Sequence, residues 1–144
     1  AEPGPEQALI RVRTAALNFP DVLMTQGKYQ FSPPMPFIPG LEASGEVVAV
    51  GKAVTTVSVG DKVVTSTRYG AISQYMLADQ TDVRPAPARL SWPEAAAYQA
   101  ASLTAYVALV NRGWLSKGET LLVHGASGGA CACCRQAVLS ANLS

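Results

Sequence analysis

Apolar and polar residues alternate in short segments over the first ninety positions of the chain. Ile10 and Val12 alternate with Arg11 and Arg13, and this period of two is typical of a strand with one face exposed to solvent. Segments rich in β-branched residues predict further strands over residues 46–50, after the turn at Gly60 and over residues 72–77. Short strands at this spacing predict a small β-barrel or β-sandwich.

One short helix is expected between the first two strands. Asn18 is a suitable N-cap residue, Asp21 places a negative charge in the first turn, and Gly27 is placed to end the helix. The stretch 31–40 contains four prolines, and a central strand does not tolerate them because proline donates no backbone hydrogen bond.

The pattern changes from strand-like to helical near residue 92, and no proline follows Pro93. Ser91 and Glu94 flank a proline in the spacing of a capping box. They predict a helix that runs to about Asn111 and ends at Gly113. We therefore place a domain boundary between residues 92 and 93.

A short apolar run follows this helix. Residues 120–124 have the composition of a strand that is covered on both faces. The glycine-rich turn 125–129 and an alanine-rich segment come directly after it. Strand, glycine turn and helix in this order are typical of the opening of a dinucleotide-binding unit.

Composition narrows the possible partners. Lys and Arg number 11 against 10 Asp and Glu, and 49% of the residues are hydrophobic, which excludes a basic nucleic-acid arm and a disordered chain. We find no apolar run long enough to span a bilayer. The three cysteines lie within residues 131–134, without the spacing of a disulfide scaffold or a zinc knuckle. We expect a cytoplasmic protein with a small-molecule or protein partner.

Several motifs stand in one order along the chain. They are residues 16–21 (ALNFPD), 26–29 (QGKY), 38–45 (IPGLEASG), 50–51 (VG), 60–63 (GDKV), 103–106 (LTAY) and 122–129 (LVHGASGG). Together they resemble the medium-chain dehydrogenases/reductases, and in particular the quinone oxidoreductase (zeta-crystallin-like) branch. The resemblance implies a mixed β and α/β fold. A GroES-like β-barrel domain over residues 1–92 would precede a linker helix and the first strand–turn–helix of an incomplete Rossmann domain over residues 93–144.

The resemblance also implies an activity, namely hydride transfer from NADPH to a quinone or a conjugated enone. Zinc-containing members of the superfamily carry a Cys and a His where this chain has Asn18 and Leu41. Leucine is not a zinc ligand, and asparagine is not a usual one. We therefore expect no metal site, and a zinc alcohol dehydrogenase is disfavoured. An acceptor that is already electrophilic needs no Lewis acid, because the cofactor carries the difficult step. A homo-oligomer is possible by the same resemblance.

The family pattern implies a set of site residues. Asn18 would act in catalysis and contact the nicotinamide end of NADPH, and Tyr29 would line the acceptor pocket. The remaining cofactor-binding residues would be Thr104, Ser127, Gly128 and Gly129.

Each of these residues also has a structural interpretation. Asn18 is a helix cap, Tyr29 is a rim or core aromatic, and Thr104 is a threonine packed within a helix. The glycines 128–129 belong to a plain turn. His124 is expected to be a packed, hydrogen-bonded histidine on a buried strand end and not a general base.

The chain is too short for all the residues that the predicted activity requires. Too few residues follow Gly129 to reach the ribose-binding acidic residue expected ~20 positions after the glycine motif. From Ala130 onward the sequence no longer matches the family pattern. Residues 2–5 resemble a turn that, in the family, leads into an internal strand of the first domain. We therefore expect a chain truncated at both ends. The alternative function is a catalytically silent fragment that acts, if at all, as a binding or interaction module.

Overall fold

The computed structural model describes residues 2–124 together with residues 128, 129 and 133. They fall in two compact units, Ala1–Ala97 and Tyr98–Ser144. The elements in chain order are β1 (Gln7–Ala16), α1 (Phe19–Thr25), β2 (Glu42–Val50), β3 (Lys62–Ser66), β4 (Tyr75–Asp79), β5 (Val83–Pro85), α2 (Trp92–Tyr106) and a π-helical turn (Val107–Arg112).

The first unit is built on one antiparallel sheet with the strand order β4-β1-β2-β3-β5. The pairing of β1 with β2 shifts register between Leu9 and Ile10 and again between Val12 and Thr14. Such irregularities bend and twist a strand locally. The sheet therefore curves into a half-barrel around its buried face.

The buried face of the sheet carries the core. Its members are small or β-branched residues with one methionine: Ala8, Ile10, Ala43, Val47, Val57, Val63, Ala71, Met76, Ala78 and Val83. Ile10, Val47 and Val63 are completely buried, and burying each such side chain contributes about 1.5–3 kcal/mol. The alternation that predicted the strands is thus the alternation that builds the core.

The last large strand begins later than its sequence pattern predicts. A strand was expected over 72–77, whereas β4 begins at Tyr75. Ala71 and Ile72 instead donate their backbone N–H groups to the carbonyls of Gly40 and Pro39. Because these donors pair with the loop before β2, they do not join the ladder with β1.

The second face of β2 meets the beginning of α2. Ser44 donates its hydroxyl to the carbonyl of Trp92 at 2.6 Å. Lys62 donates to the carbonyl of Leu90, and its ammonium lies 4.7 Å from the centroid of the Trp92 ring. These contacts anchor the first turn of α2 to the sheet.

The predicted capping box is present at the start of α2. Glu94 accepts from the backbone N–H of Ser91 at 2.8 Å and from its hydroxyl at 2.6 Å. The helix ends as predicted at Gly113, whose N–H donates to the carbonyl of Ala108 at 2.7 Å, five residues back. The last turn is therefore π-wound, a local widening that the sequence pattern does not predict.

The predicted strand over residues 120–124 is wrong. These residues form no strand, Leu122 is 77% exposed, and the residues described beyond β5 contain no strand at all. A strand needs a neighbour for its backbone groups, and none is available to this run among the described residues. The first strand of a Rossmann domain is thus not formed in the described part of the chain. His124 is exposed, which also corrects the expectation that it is packed.

No helix within the described ranges is long and apolar enough to cross a membrane. The longest, α2, has 15 residues.

Acid is expected to weaken the first unit through Glu46. Hydrogen bonds from Arg11 and Arg13, at 2.8 Å and 3.1 Å, lower the pKa of this carboxyl from its usual 4.5. A carboxyl whose folded pKa is lowered stabilises the fold above its unfolded pKa, and it loses this contribution as pH falls through the folded pKa. Hydrogen bonds from Thr81 lower the pKa of Asp79 in the same sense, and those from Ser91 lower that of Glu94.

Urea unfolding of the wild-type chain and of Glu46→Gln, measured from pH 7 down to about pH 3, checks this expectation. The wild type is expected to be the more stable at neutral pH, and the two curves are expected to converge on acidification. A constant difference across the range contradicts the role given to Glu46.

Candidate functional site

The candidate site lies where α1 begins beside the first residue of β2. Asn18 is the N-cap of α1, with extended backbone angles of φ −114° and ψ 159°. Its side-chain nitrogen Nδ2 donates to Oε1 of Glu42 at 2.9 Å. Glu42 is 2% exposed, whereas Asn18 is half-buried. Because a carboxylate oxygen accepts hydrogen bonds, it fixes which end of the Asn18 amide faces Glu42.

A second buried carboxylate, Asp21, holds the two segments together. Oδ2 of Asp21 accepts from the backbone N–H of Asn18 at 2.8 Å, and Oδ1 accepts from the N–H of Gly40 at 2.9 Å. Asp21 is 1% exposed. The first contact follows from its place in the helix turn. The second ties the helix to the segment just before Glu42 and sets the spacing of the Asn18–Glu42 pair.

Gly40 combines a positive φ with a close backbone contact, and only glycine allows both. Its φ is +111°, and a Cβ at this position would lie 2.5 Å from the backbone nitrogen of Ile72. The close approach lets the loop 67–72 pair with residues 39–41. Thr67 donates to the carbonyl of Leu41 at 2.7 Å, and Ala71 donates to that of Gly40 at 3.1 Å. The segment leading into Glu42 is therefore held on both sides.

Aromatic side chains join two loops beside this segment. Tyr69 stacks on Phe31 with ring centroids 6.2 Å apart and meets Phe37 edge-on at 6.4 Å. The guanidinium of Arg68 lies 5.4 Å from the centroid of Phe31. Tyr29, the predicted acceptor contact, is half-buried. Its role stays a prediction.

The aromatic cluster and Arg68 were missed in the sequence. Tyr69 carried no predicted role there, and neither Phe31 nor Arg68 stood out from its neighbours. Their relation depends on two loops almost forty residues apart in the chain, so no local pattern signals it.

The remaining predicted site residues lie in the second unit or outside the described residues. Thr104 is exposed on α2, so it is not a packed helix threonine, and Gly128 and Gly129 are exposed. Ser127 lies outside the described residues. A Cβ at Gly129 would meet nothing within 4 Å. Contacts of these residues with a cofactor stay predictions.

The donor set around Asn18 does not fit zinc. The polar side chains there are one amide and the carboxylates of Glu42 and Asp21, and the neighbouring Leu41 offers no ligand. Zinc in proteins takes at least three Cys, His, Asp or Glu ligands. In the part of the chain that the structure describes, no group of three such residues is placed to hold a metal ion.

Comparison with known proteins identifies the family. The model of the alcohol dehydrogenase GroES-like domain matches residues 4–88. The chain belongs to this family. It is 40% identical over 126 residues to the quinone oxidoreductase-like protein 2 homolog of Nematostella vectensis, a match that covers 87% of this chain and 34% of that protein.

Solved structures of two GroES-like relatives superpose closely on the chain. The human synaptic vesicle membrane protein VAT-1 homolog-like protein matches with a TM-score of 0.93 and 34% identity, over 97% of this chain and 45% of that one. The quinone oxidoreductase of Thermus thermophilus, solved also as a complex with NADPH, matches with a TM-score of 0.84 and 31% identity. This second match covers 97% of this chain and 43% of that one.

These matches confirm the predicted GroES-like fold and the predicted place among the medium-chain dehydrogenases/reductases of the quinone oxidoreductase type. The chain is a member of an oxidoreductase family. It spans about a third of the length of the curated relatives it matches.

Proposed function

We propose that this chain supplies the acceptor-binding part of an NADPH-dependent reductase that transfers a hydride to a quinone or a conjugated enone without a metal. The Asn18–Glu42 pair carries the proposal, since it sets an amide on a buried carboxylate at a position where a zinc enzyme needs ligands. The names of the quinone oxidoreductase relatives support the acceptor class, and the NADPH complex of the Thermus thermophilus protein supports the cofactor.

NADPH, when bound, supplies the hydride. Negative charge then develops on the acceptor oxygen, and a fixed N–H donor stabilises it. The Asn18 amide nitrogen has two N–H bonds, of which Glu42 takes one. We assign the other to the acceptor carbonyl or the nicotinamide carboxamide. Both carboxylates keep this donor in place: Glu42 orients the amide and Asp21 fixes the helix start that carries it.

The other predicted residues complete the proposed assignment. Tyr29 would form a flat wall of the acceptor pocket with a hydroxyl at its edge. Thr104 offers an exposed hydroxyl to the cofactor, and the turn with Ser127, Gly128 and Gly129 would receive its pyrophosphate. We keep the division at residues 92 and 93, a cytoplasmic location and a possible homo-oligomer as parts of this proposal.

Titration of NADPH against the purified chain tests the proposal. Nicotinamide fluorescence is followed up to about 1 mM cofactor, the upper end of ordinary KM values, and a small quinone is then added. Saturable binding followed by NADPH oxidation supports the reductase. Absence of binding over this range contradicts it for this chain.

Replacing Asn18 is expected to lower both the activity and, through the loss of the α1 N-cap, the stability of the fold. Asn18→Leu keeps the side-chain size and removes both N–H donors, so kcat/KM with NADPH and a quinone is expected to fall by about 10–100-fold. Asn111→Leu at the exposed end of the π-helical turn is the matched control. Circular dichroism checks that both variants fold. An unchanged kcat/KM in Asn18→Leu contradicts the role assigned to its amide.

One observation favours the alternative of a silent interaction module. The second unit exposes large apolar side chains, with Leu103 61%, Trp114 79% and Leu122 77% exposed. Large exposed apolar side chains are typical of association surfaces when they lie together in one patch. Sedimentation velocity over a concentration series, run beside the NADPH titration, separates the two functions. Self-association without cofactor binding supports the module, and NADPH binding by a monomer or an oligomer supports the reductase.

A further inference from the structure

Arg68 is a fixed cation on the surface of the first unit. Its guanidinium lies over the Phe31 ring at 5.4 Å, and this cation–π contact restrains an otherwise mobile side chain. Among the residues that the structure describes, the ion pairs join Arg11 and Arg13 to Glu46, and none involves Arg68. Arg68 is exposed. The exposed guanidinium carries five N–H donors in a planar fork.

The two loops that hold Arg68 carry positive charge alone. The loop between α1 and β2, residues 26–41, contains Lys28 and no Asp or Glu. The loop between β3 and β4, residues 67–74, contains Arg68 and likewise no Asp or Glu. The Tyr69 contacts with Phe31 and Phe37 bring these loops together. Their joint surface is therefore complementary to an anion that carries a planar apolar group.

This surface begins next to the Asn18–Glu42 pair. Glu42 stands opposite Ser66 in the β2–β3 ladder, and Thr67 bonds to the carbonyl of Leu41. The Arg68 backbone lies two residues beyond Ser66, a chain length of about 7 Å.

We infer that Arg68, held over Phe31, binds an anionic group of the acceptor, so that the preferred substrates are planar conjugated carbonyl compounds that carry a carboxylate. Calling the ligand a substrate rests on the proposed reductase function. Binding of the ligand to Arg68 needs neither NADPH nor turnover. Guanidinium and carboxylate form paired, charge-assisted hydrogen bonds, and the aromatic cluster offers edges for the ring of the ligand.

A matched pair of unreactive ligands tests the inference on the purified chain without NADPH. 2-Naphthoate and 2-naphthamide share the ring system and differ in charge, and the fluorescence of each reports binding. The wild type is expected to bind the carboxylate about tenfold more tightly than the amide, a difference of about 1.4 kcal/mol. Added salt is expected to reduce this ratio, because screening weakens exposed charge interactions.

Three variants locate the effect. Arg68→Gln is expected to bring the ratio to about one. Phe31→Leu keeps the charge but removes the ring platform, and we expect it to lower the ratio to between about two and four. Arg89→Gln, at an exposed arginine elsewhere in the unit, is expected to keep the full ratio. An equal ratio in the wild type and Arg68→Gln overturns the inference.

A competition experiment with pyrophosphate distinguishes a site for an anionic acceptor from a site for the phosphates of a cofactor. Inorganic pyrophosphate is expected to displace naphthoate weakly, at concentrations at least about tenfold above the naphthoate Kd. Displacement at or below that Kd that is lost in Arg68→Gln marks a cofactor-phosphate site and overturns the inference. A chain that prefers naphthoate through Arg68 yet binds no NADPH contradicts the proposed function and leaves the anion site standing. If the chain oxidises NADPH with quinones but shows no preference for the carboxylate, the proposed function stands and the anion site is contradicted.

Discussion

Asp21→Ala is expected to destabilise the first unit by about 2–5 kcal/mol, because it leaves one buried and one half-buried N–H group without an acceptor, at a cost of up to about 1–3 kcal/mol each, and removes a charge-assisted acceptor. The groups are the backbone N–H of Asn18 and that of Gly40. Asp21 is 1% exposed and its bond to Gly40 is buried, so water does not readily replace the acceptor of the Gly40 N–H. The same variant releases the start of α1 from the segment before Glu42, and we expect weaker acceptor binding even where the chain still folds.

Urea unfolding followed by circular dichroism measures this cost. Asp82→Ala, at an exposed aspartate between β4 and β5, is the matched control and is expected to change stability by less than about 0.5 kcal/mol. Asp21→Asn keeps one acceptor oxygen and is expected to fall between the two. A cost for Asp21→Ala no larger than that of the control contradicts the bridging role of this carboxylate.

Gly40→Ala is expected to cost about 2–5 kcal/mol, through about 1–2 kcal/mol of left-handed backbone strain and about 1–3 kcal/mol of overpacking. The new Cβ would lie 2.5 Å from the backbone nitrogen of Ile72 and 2.8 Å from its Cγ1. The backbone of Ile72 cannot move aside without losing its hydrogen bond to Pro39. The loop 67–72 must then separate from residues 39–41, and with it the Arg68 surface.

Gly60→Ala isolates the strain from the overpacking. Gly60 has φ +93° and open space around its missing Cβ, so its substitution is expected to cost about 1–2 kcal/mol. The difference between the two variants, measured by urea unfolding, is the cost of the close approach at Gly40. Equal costs would mean that the loop yields freely and that the close approach does not hold the site.

The sequence predicted the elements whose signals are local. The capping box of Ser91 and Glu94 involves residues three apart, and both its donors and its acceptor lie where the pattern places them. The helix start at Asn18 follows from the same short-range chemistry. A hydrogen bond between neighbours in the chain needs no knowledge of the fold, and for this reason these predictions are confirmed.

The prediction of a strand at residues 120–124 is wrong because a strand depends on a partner that is distant in the chain. The run is apolar enough for a buried strand, but a strand exists only where another strand pairs with it, and β5 is the last one in the described residues. Composition reports that a segment can be buried. It does not report whether a partner is present to bury it.

By itself the sequence determined the strand alternation, the two helix starts and the family, and it singled out Asn18 as a candidate site residue. The tertiary structure decided what those residues meet. Asp21 and Gly40 are 19 positions apart, and Asn18 and Glu42 are 24 apart. The same holds for Arg68 over Phe31, which the sequence did not single out. Local hydrogen bonds depend only on a few residues that are neighbours in the chain, so the sequence predicts them. Contacts between distant segments depend on how the sheet curves and where two loops meet, so the fold alone sets the surface that the acceptor is proposed to use.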